Sequence, residues 1–407
     1  MKVLQVNVVW RNGSTGKITA DIHEELLRQG VESVVCYGRG ETVNEPYVYK
    51  TWGEVFSKVN HAVTFVTGVM YGGCGLSTHK LISVIEKEQP DIVHLQCING
   101  YFVNIYKLIT WLKEHRIKTV VTLHAEFMHT ANCGHAMDCG RWLTGCGHCP
   151  RLRQVTGSFL RDGTAESWQQ MKAAFDGFEK DCIVTSVSPW LMERAKQSPI
   201  LAKFHHEVVF NGINAEVFHP QESEELRKEQ GLTDKKVVFH ATAYFSGRED
   251  DDKGGRYVLR MAERLRDQNV MFFVASNYAA ETAVPENVVL LGRVTDQNQL
   301  AQYYSLADVT LLTSKKETFS MIVAESMCCG TPVVGFKAGG PEAIALAEHS
   351  AFVEQGDVDA LEIQLRRRLA EKKDASFIAE AGRIAYSAET MCEAYMKVYR
   401  QLLAEDA

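Results

Sequence analysis

The feature that most constrains the fold is an alternation of short Val- and Ile-rich segments with longer amphipathic segments along nearly the whole chain. The short segments are typical of buried parallel strands, and the longer ones have the periodicity of helices that cover a sheet. Strands and helices that alternate in this way pack as parallel sheets with helices on both faces. The sequence therefore predicts an α/β protein with doubly wound sheets.

The predicted strands fall into two sets, separated by the charged segment PQESEELRKEQGLTDKK. The first set comprises Val3–Val9, Val34–Tyr37, Ile92–Leu95, Thr119–Leu123, Ile183–Val187 and Val208–Phe210. The second set comprises Val237–His240, Met271–Ala275, Val288–Leu291, Val309–Leu312 and Pro332–Val334. Predicted helices such as Gly255–Arg266, Asn298–Leu306 and Ala360–Ala370 separate the strands of the second set.

A chain of 407 residues is long enough for two domains. We predict a Rossmann-like N-terminal domain over residues 1–210, with a cysteine-rich loop at 131–153, and a Rossmann-like C-terminal domain over 211–386. A helix over 387–407 is expected to cross back to the first domain. The two domains are expected to face each other across a cleft, where the carboxyl ends of the strands bind ligands.

The composition narrows the class of protein. An apolar content of 45% and a charged content of 23% are those of a soluble globular protein. The formal net charge of −7 argues against nucleic acid as a partner. No uninterrupted apolar run reaches the ~18 residues of a membrane span, and the N-terminus leads straight into a strand without a signal-peptide pattern. We therefore expect a cytoplasmic protein.

One apolar segment leaves two possibilities open. Residues 59–76, VNHAVTFVTGVMYGGCGL, are apolar enough to contact a membrane surface, but they also fit a buried helix. Of the two, we favour the buried helix.

The glycine-rich segment after the first strand resembles a nucleotide-binding P-loop only superficially. The P-loop pattern requires a glycine five positions before Gly16 and a serine or threonine after Lys17. Arg11 and Ile18 occupy these two positions, so the P-loop is excluded. A strand, a turn at Gly13 to Gly16 and a helix remain.

The most informative segment is SKKETFSMIVAESMCCGTPVVGFKAGGPEAI, residues 314–344. Thr318, Phe319 and Ser320 are predicted to be the first residues of a helix, whose backbone N–H groups and dipole favour a phosphate. Glu317 and Glu325 could accept hydrogen bonds from the hydroxyls of a sugar and a ribose. The alternative is that Glu317 caps the helix and Glu325 is solvated.

Glu317 and Glu325, separated by seven residues and followed by SMCCGTPVV, resemble the signature of the family-4 retaining glycosyltransferases of GT-B fold. DKGG at 252–255, FNGIN at 210–214 and the tail YSAETMCEAYMKVYRQLL extend the resemblance over essentially the whole chain. The GSTGKI turn and the TLH…C…GC..CP segment are similar to bacterial exopolysaccharide and O-antigen transferases, including the colanic-acid type. The family usually has glycine where this chain has Thr318 and Ser320.

The resemblance implies roles for individual residues. Glu317 would contact the donor sugar and Glu325 the nucleotide ribose, while Lys253 and Arg248 would neutralise the departing diphosphate. A solvated acidic loop is the alternative for the segment 248–253, which contains four consecutive carboxylates. The turn from Gly13 to Gly16 would line the cleft near the donor phosphates and the acceptor.

His124, at the end of a predicted strand, suits a hydrogen bond to a sugar hydroxyl, or it is a structural histidine. Relatives carry Asp after this histidine, whereas this chain has Ala125 and then Glu126, which could replace that Asp.

Four of the eleven cysteines lie close together in the sequence, at positions 133, 139, 146 and 149. Without a secretory signal, cysteines are expected as reduced thiols or metal ligands. We predict that Cys133, Cys139, Cys146 and Cys149 bind one structural zinc ion. His135 and His148 are alternative ligands, and free thiols or a redox pair are the alternative to zinc.

Together these features predict a cytoplasmic retaining glycosyltransferase that uses a nucleotide diphosphate-sugar, and the resemblance implies no catalytic metal. The expected acceptor is a glycan or a lipid-linked oligosaccharide, reached by peripheral contact with the inner membrane face. Two alternatives are a nucleotide-sugar epimerase or hydrolase on the same fold, and a zinc-knuckle binding module on an inactive scaffold. The second needs a basic patch at 133–153, where only Arg141, Arg151 and Arg153 are found.

Overall fold

The computed structural model describes residues 1–51, 53–279 and 282–404. These residues divide into two compact units. The N-terminal unit comprises Met1–Asn211 and the chain from Met391 onwards, and the C-terminal unit comprises Gly212–Thr390. Each unit contains one sheet, and every strand pairing in the two sheets is parallel. The predicted doubly wound α/β architecture is confirmed.

The sheet of the N-terminal unit has seven strands in the order β3-β2-β1-β4-β5-β6-β7. The strands are β1 (Lys2–Val9), β2 (Glu32–Arg39), β3 (Val48–Lys50), β4 (Ile92–Leu95), β5 (Thr119–Leu123), β6 (Cys182–Ser186) and β7 (His205–Val208). Every residue of β4, β5 and β6 is buried, as expected for strands covered on both faces. The last strand was predicted at Val208–Phe210, but β7 begins three residues earlier, at His205. The prediction was wrong because β7 is an edge strand whose side chains are not buried, so it lacks the apolar pattern of a buried strand.

Helices cover this sheet and connect its strands. They are α1 (Gly13–Arg28), α2 (Glu54–Thr67), α3 (Gly75–Glu88), α4 (Ile105–Glu114), α5 (Phe127–Thr130), α6 (Leu152–Thr156), α7 (Thr164–Phe175) and α8 (Pro189–Lys196). The prediction of a buried helix at 59–76 was wrong. Only Ser57 and Thr64 are buried in α2, and most of its apolar side chains are exposed.

The sheet of the C-terminal unit has six strands in the order β10-β9-β8-β11-β12-β13. The strands are β8 (Lys236–Phe245), β9 (Val270–Tyr278), β10 (Val288–Gly292), β11 (Val309–Leu312), β12 (Val333–Phe336) and β13 (Ser350–Val353). The helices are α9 (Glu224–Glu229), α10 (Gly255–Arg264), α11 (Gln297–Leu306), α12 (Met321–Cys328), α13 (Gly340–Ile344), α14 (Val358–Ala370) and α15 (Ala375–Tyr386). Apolar side chains of β8, β9, β11 and β12 form one core with α10 and α14.

The last helix, α16 (Ala388–Ala404), packs on the N-terminal sheet. The Tyr399 hydroxyl lies 2.7 Å from Nδ1 of His94, and the Tyr395 hydroxyl lies 3.1 Å from Oγ1 of Thr122. Residues 405–407, the end of the helix predicted over 387–407, lie outside the described residues. None of the helices in the described chain is long and apolar enough to cross a membrane.

The strand order positions a crevice in each sheet. In the N-terminal sheet the chain leaves β1 and β4 in opposite directions, and in the C-terminal sheet it does so at β8 and β11. Ligands of doubly wound sheets bind at such switch points, outside the carboxyl ends of the strands. The segments that follow these four strands are therefore the first places to look for a functional site.

Candidate functional site

Two predicted site residues meet at the switch point of the C-terminal sheet. Lys253 lies in the segment after β8, and Glu317 lies in the segment after β11. The Lys253 Nζ donates a hydrogen bond to Glu317 Oε1 at 2.6 Å, and both side chains are partly accessible to solvent. A cation and a carboxylate thus lie side by side where a charged ligand with hydroxyl groups can reach them.

The backbone around Lys253 is held by its neighbours. Asp251 Oδ1 accepts from the Lys253 N–H at 2.9 Å, and Thr313 Oγ1 donates to the Lys253 carbonyl at 3.0 Å. Gly254 has a φ of 72°, and a Cβ at this position would lie 2.3 Å from the Thr313 carbonyl oxygen. Only glycine fits this close approach, which explains the DKGG segment physically.

Glu317 is positioned by the loop before α13. Its N–H donates to the Ala338 carbonyl at 3.0 Å, and its own carbonyl accepts from the Gly340 N–H at 2.9 Å. Glu342 caps this loop, because its carboxylate accepts from the Ala338 and Gly339 N–H groups. The AGGPE segment therefore supports Glu317, a role that the sequence did not reveal.

The structure corrects the prediction for Thr318, Phe319 and Ser320. These residues precede α12, which begins at Met321, so they are not its first helical residues. Ser320 is the N-cap residue and has a φ of 84°, a conformation that costs a non-glycine residue about 1–3 kcal/mol. The glycine that is usual here in the resembling family would avoid this strain. The buried Ser320 Oγ has no hydrogen-bond partner among the described residues.

Glu325 lines a cavity of about 500 Å³ beside α12. Its Oε2 accepts a hydrogen bond from the Tyr304 hydroxyl at 3.0 Å, and Tyr304 is fully buried. Asn277 and Arg293, which come at or just after the ends of β9 and β10, line the same cavity. Sequence reasoning missed these three residues, although polar residues at the ends of predicted strands would have pointed to Asn277 and Arg293.

Arg248 is not brought to the Lys253–Glu317 pair. Its guanidinium forms two hydrogen bonds with Asp250, at 2.8 and 2.7 Å, and 74% of its side chain is exposed. The structure therefore fits the alternative of a solvated acidic loop for Arg248.

Gly13, Gly16 and His124 lie in the N-terminal unit, at the carboxyl ends of β1 and β5. Gly13 begins α1 with a φ of 63°, and a Cβ on Gly16 would lie 3.1 Å from Val9 Cγ2. The imidazole Nε2 of His124 donates to Gln96 Oε1 at 2.7 Å. Burial lowers the pKa of His124 to about 4, so the ring is neutral near pH 7.

Glu126 has a structural role in the cysteine-rich loop. Its carboxylate pairs with Arg194 and accepts from the Ala136 N–H at 2.7 Å. Glu126 is buried, and its contacts lower the pKa of its carboxyl below the usual value despite that burial. That Glu126 replaces the Asp expected after this histidine stays a prediction.

The four clustered cysteines are partly buried, and all eleven cysteines are free thiols. Burial is the largest of the effects that raise the pKa of Cys133 to about 12, and Cys146, Cys149 and Cys139 contribute to the same rise. No group of three or more His, Cys, Asp or Glu side chains within the described residues is arranged to hold a metal ion. The zinc site, with or without His135 and His148, stays a prediction.

Comparisons with known proteins agree with this architecture. The family described as "Glycosyl transferases group 1" matches residues 240–371, which contain Lys253, Glu317 and Glu325. The putative colanic acid biosynthesis glycosyl transferase WcaC of Escherichia coli K12 is 22% identical over 99% of this chain and 100% of its own length. The N-acetyl-alpha-D-glucosaminyl L-malate synthase of Bacillus anthracis is 23% identical over 97% of this chain and 95% of its own length.

A similar fold occurs in Anabaena Alr3699/HepE, solved in complex with UDP-glucose. The two structures align with a TM-score of 0.60 at 15% identity, over 98% of this chain and 100% of the other. Residues 240–371 are thus a glycosyl transferases group 1 domain, and the two Rossmann-like sheets give the chain the GT-B fold of its structural neighbours.

Proposed function

We propose that this protein is a retaining glycosyltransferase of bacterial surface polysaccharide synthesis. It moves a sugar, of hexosyl type, from a nucleoside diphosphate-sugar to a glycan or a lipid-linked oligosaccharide. It works in the cytoplasm, in peripheral contact with the inner membrane face. The relative named for colanic acid biosynthesis and the UDP-glucose complex of HepE support the acceptor and donor classes.

The observation that carries this proposal is the Lys253–Glu317 pair at the switch point, together with Glu325 in the cavity beside α12. Lys253 has two further N–H donors for the diphosphate after one is given to Glu317. Glu317 accepts hydrogen bonds from the hydroxyls of the donor sugar, and Glu325 accepts from those of the ribose. The cavity of about 500 Å³ is of the size that holds a small ligand.

The reaction follows from these positions. The bond between the sugar C1 and the phosphate oxygen breaks, and its electron pair stays on the phosphate. The oxygen of the acceptor hydroxyl bonds to C1, and its proton goes to the departing phosphate. Lys253 stabilises the charge that grows on this phosphate, because a fixed cation needs no reorganisation during the reaction. We propose that no metal ion takes part in this step.

Slow hydrolysis of the donor in the absence of an acceptor tests the proposal without knowledge of the acceptor. The enzyme is mixed with UDP-, GDP-, ADP- or dTDP-α-glucose, and the released sugar is observed by NMR before mutarotation. A retaining transferase releases α-glucose first, and Lys253→Ala abolishes the release. First release of β-glucose contradicts retention, and a changed sugar still attached to its nucleotide identifies an epimerase.

A further inference from the structure

Helix α2 has an inverted distribution of polar and apolar side chains. Its only buried residues are the polar Ser57 and Thr64. Five of its apolar side chains are between 43 and 70% exposed: Val55, Phe56, Val59, Val63 and Val66. Single exposed apolar residues are normal on a protein surface, but five on one short helix are not.

The exposed side chains form a single stripe. Residues of an α-helix are about 100° apart around its axis. The five apolar residues therefore fall within a sector of about 100°, and Ser57 and Thr64 lie on the opposite side. A helix whose apolar face is continuous and points to solvent needs a partner to cover that face.

Polar contacts hold α2 in this orientation. Asn60 Oδ1 accepts from the Cys74 N–H at 3.0 Å, and Asn60 Nδ2 donates to the Tyr101 carbonyl at 3.3 Å. The ring of His61 packs edge-on against the ring of Tyr101, with 4.9 Å between centroids. These contacts attach the polar side of the helix to the N-terminal unit, so the apolar side remains outward.

A neighbouring loop extends the apolar surface. Phe159 and Leu160, between α6 and α7, are 66 and 62% exposed. The ring of Phe159 contacts the ring of Phe65 on α2, with 5.1 Å between centroids. The backbone also meets there, since a Cβ on Gly68 would lie 2.1 Å from the Arg161 carbonyl oxygen. We call these seven exposed side chains the α2 patch: Val55, Phe56, Val59, Val63, Val66, Phe159 and Leu160.

The charges on these segments favour an anionic partner. Lys58 on α2 and Arg153 on α6 are exposed, and neither forms an ion pair within the described part of the chain. The carboxylates are engaged, because Glu54 pairs with Arg39 at 3.2 Å and Asp162 accepts from the Cys149 N–H at 2.6 Å. A chain with a net charge of −7 thus carries, among the described residues, two cations without an ion pair: one on α2 itself and one on α6, which precedes the loop with Phe159 and Leu160.

We propose that the α2 patch docks on the surface of an anionic lipid bilayer. An amphipathic helix with Phe and Val on one side and Lys at its margin lies in the membrane interface with its apolar side among the acyl chains. A fluid bilayer covers a stripe of this kind without a complementary groove. Anionic headgroups attract Lys58 and Arg153, which offsets the repulsion between the lipid and the acidic chain. This surface rests on the proposed peripheral contact with the membrane and specifies the residues that make it, and its test does not depend on transfer activity.

Vesicle flotation tests the proposal with two matched variants. Val59→Glu/Val63→Glu places two carboxylates on the α2 patch, and Ile363→Glu/Ile384→Glu places two carboxylates at exposed apolar positions of α14 and α15. Both variants change the net charge equally and leave the buried core intact. With vesicles of phosphatidylcholine and phosphatidylglycerol at 3:1, we expect the first variant to lose at least tenfold in binding. The second is expected to bind within twofold of the unchanged chain.

Three outcomes overturn the proposal: no binding of the unchanged chain to these vesicles, equal losses in both variants, or a loss confined to the α14–α15 variant. Sedimentation in the absence of lipid tests whether a second copy of the chain covers the α2 patch. A dimer that only Val59→Glu/Val63→Glu dissociates, without vesicle binding, assigns the patch to self-association instead. Lys58→Gln is expected to weaken binding about fivefold on anionic vesicles only, and an equal loss on pure phosphatidylcholine contradicts the role of charge.

Discussion

The two switch points share one strand order and differ in their chemistry. At the C-terminal sheet, the segments after β8 and β11 carry Lys253 and Glu317, which pair at 2.6 Å. At the N-terminal sheet, the segments after β1 and β4 carry Gly13, Gly16 and polar side chains such as Asn99, and the cation after β1, Arg11, is paired with Glu24 and Glu45. His124, which follows the neighbouring strand β5, is kept neutral by burial, which lowers its pKa to about 4. The C-terminal sheet thus presents a lysine beside a carboxylate at its crevice, whereas the histidine beside the N-terminal crevice is neutral.

From this difference we infer that the two sheets bind different substrates. A nucleoside diphosphate is anionic and needs fixed cations near its phosphates. A sugar acceptor is a neutral alcohol, for which amide and imidazole groups provide hydrogen bonds without the cost of burying a charge. We therefore propose that the donor binds at the C-terminal unit, and we expect different consequences for substitutions at the two sheets.

The largest effect is expected for Lys253→Ala. Loss of one preorganised donor to a developing anion typically lowers kcat by about 10²–10³. KM for the donor should change much less, because the contact strengthens as the phosphate charge develops. Steady-state kinetics with the preferred donor measure both constants. Arg248→Ala is the matched control and should reduce kcat less than threefold, because Arg248 is exposed and paired with Asp250. Equal losses in the two variants would move the leaving-group role to Arg248.

Glu317→Gln should lower transfer by about tenfold to a hundredfold, because it weakens a charge-assisted hydrogen bond to the sugar worth about 1.5–3 kcal/mol. The free nucleoside diphosphate lacks the sugar and should bind nearly as before. Kinetics of transfer and calorimetry with the free nucleotide separate the two effects. A normal transfer rate would leave Glu317 a structural role, in its contacts with Lys253, Ala338 and Gly340.

The predicted zinc site in the cysteine-rich loop can be tested separately, within the N-terminal unit. If Cys133, Cys139, Cys146 and Cys149 bind zinc, elemental analysis should find about one zinc per chain. Chelation or Cys146→Ser should then speed proteolysis between residues 131 and 153 before the sheets unfold. Cys182→Ser, at a buried cysteine of β6, is the control and should not change the zinc content. A metal-free chain with an ordered loop rules the zinc site out.

The smallest effect concerns pH. Burial lowers the pKa of His94 to about 3 and that of His124 to about 4, from the ordinary 6.5. Between pH 6.5 and 4 the unfolded chain binds protons that the folded chain does not, so the free energy of unfolding falls as the pH falls. Each histidine contributes up to about 1.4 kcal/mol per pH unit in this window. Urea unfolding at pH 7 and pH 5 measures the difference, and His124→Gln should reduce it. If the free energy of unfolding differs between pH 7 and pH 5 by as much in His124→Gln as in the unchanged chain, His124 is not buried in its neutral state.

The sequence predicted the sheets well because the periodicity of buried strands is local. The placement of Lys253 and Glu317 at one edge of a sheet followed from motif resemblance and from the rule that strand ends bind ligands there, whereas their hydrogen bond was not predicted. The orientation of α2 was not predictable, since its valines are covered or exposed according to what the fold places beside them. Tyr304 belongs to no recognisable sequence motif, and its contact with Glu325 depends on the packing of α11 against α12. The strained φ of Ser320 is likewise set by the loop around it and not by its own propensity.

Calorimetry with free nucleoside diphosphates tests the assignment of the donor to the C-terminal unit most directly. UDP, GDP, ADP and dTDP are titrated into the unchanged chain, Glu325→Ala and His124→Ala. We predict that Glu325→Ala weakens the binding free energy of the preferred nucleotide by about 1.5–3 kcal/mol, because the ribose loses a charge-assisted hydrogen bond. His124→Ala should bind this nucleotide with the same affinity as the unchanged chain. Unchanged nucleotide affinity in Glu325→Ala, or a comparable loss of affinity in His124→Ala, would contradict the proposal that the donor nucleotide binds at the C-terminal unit.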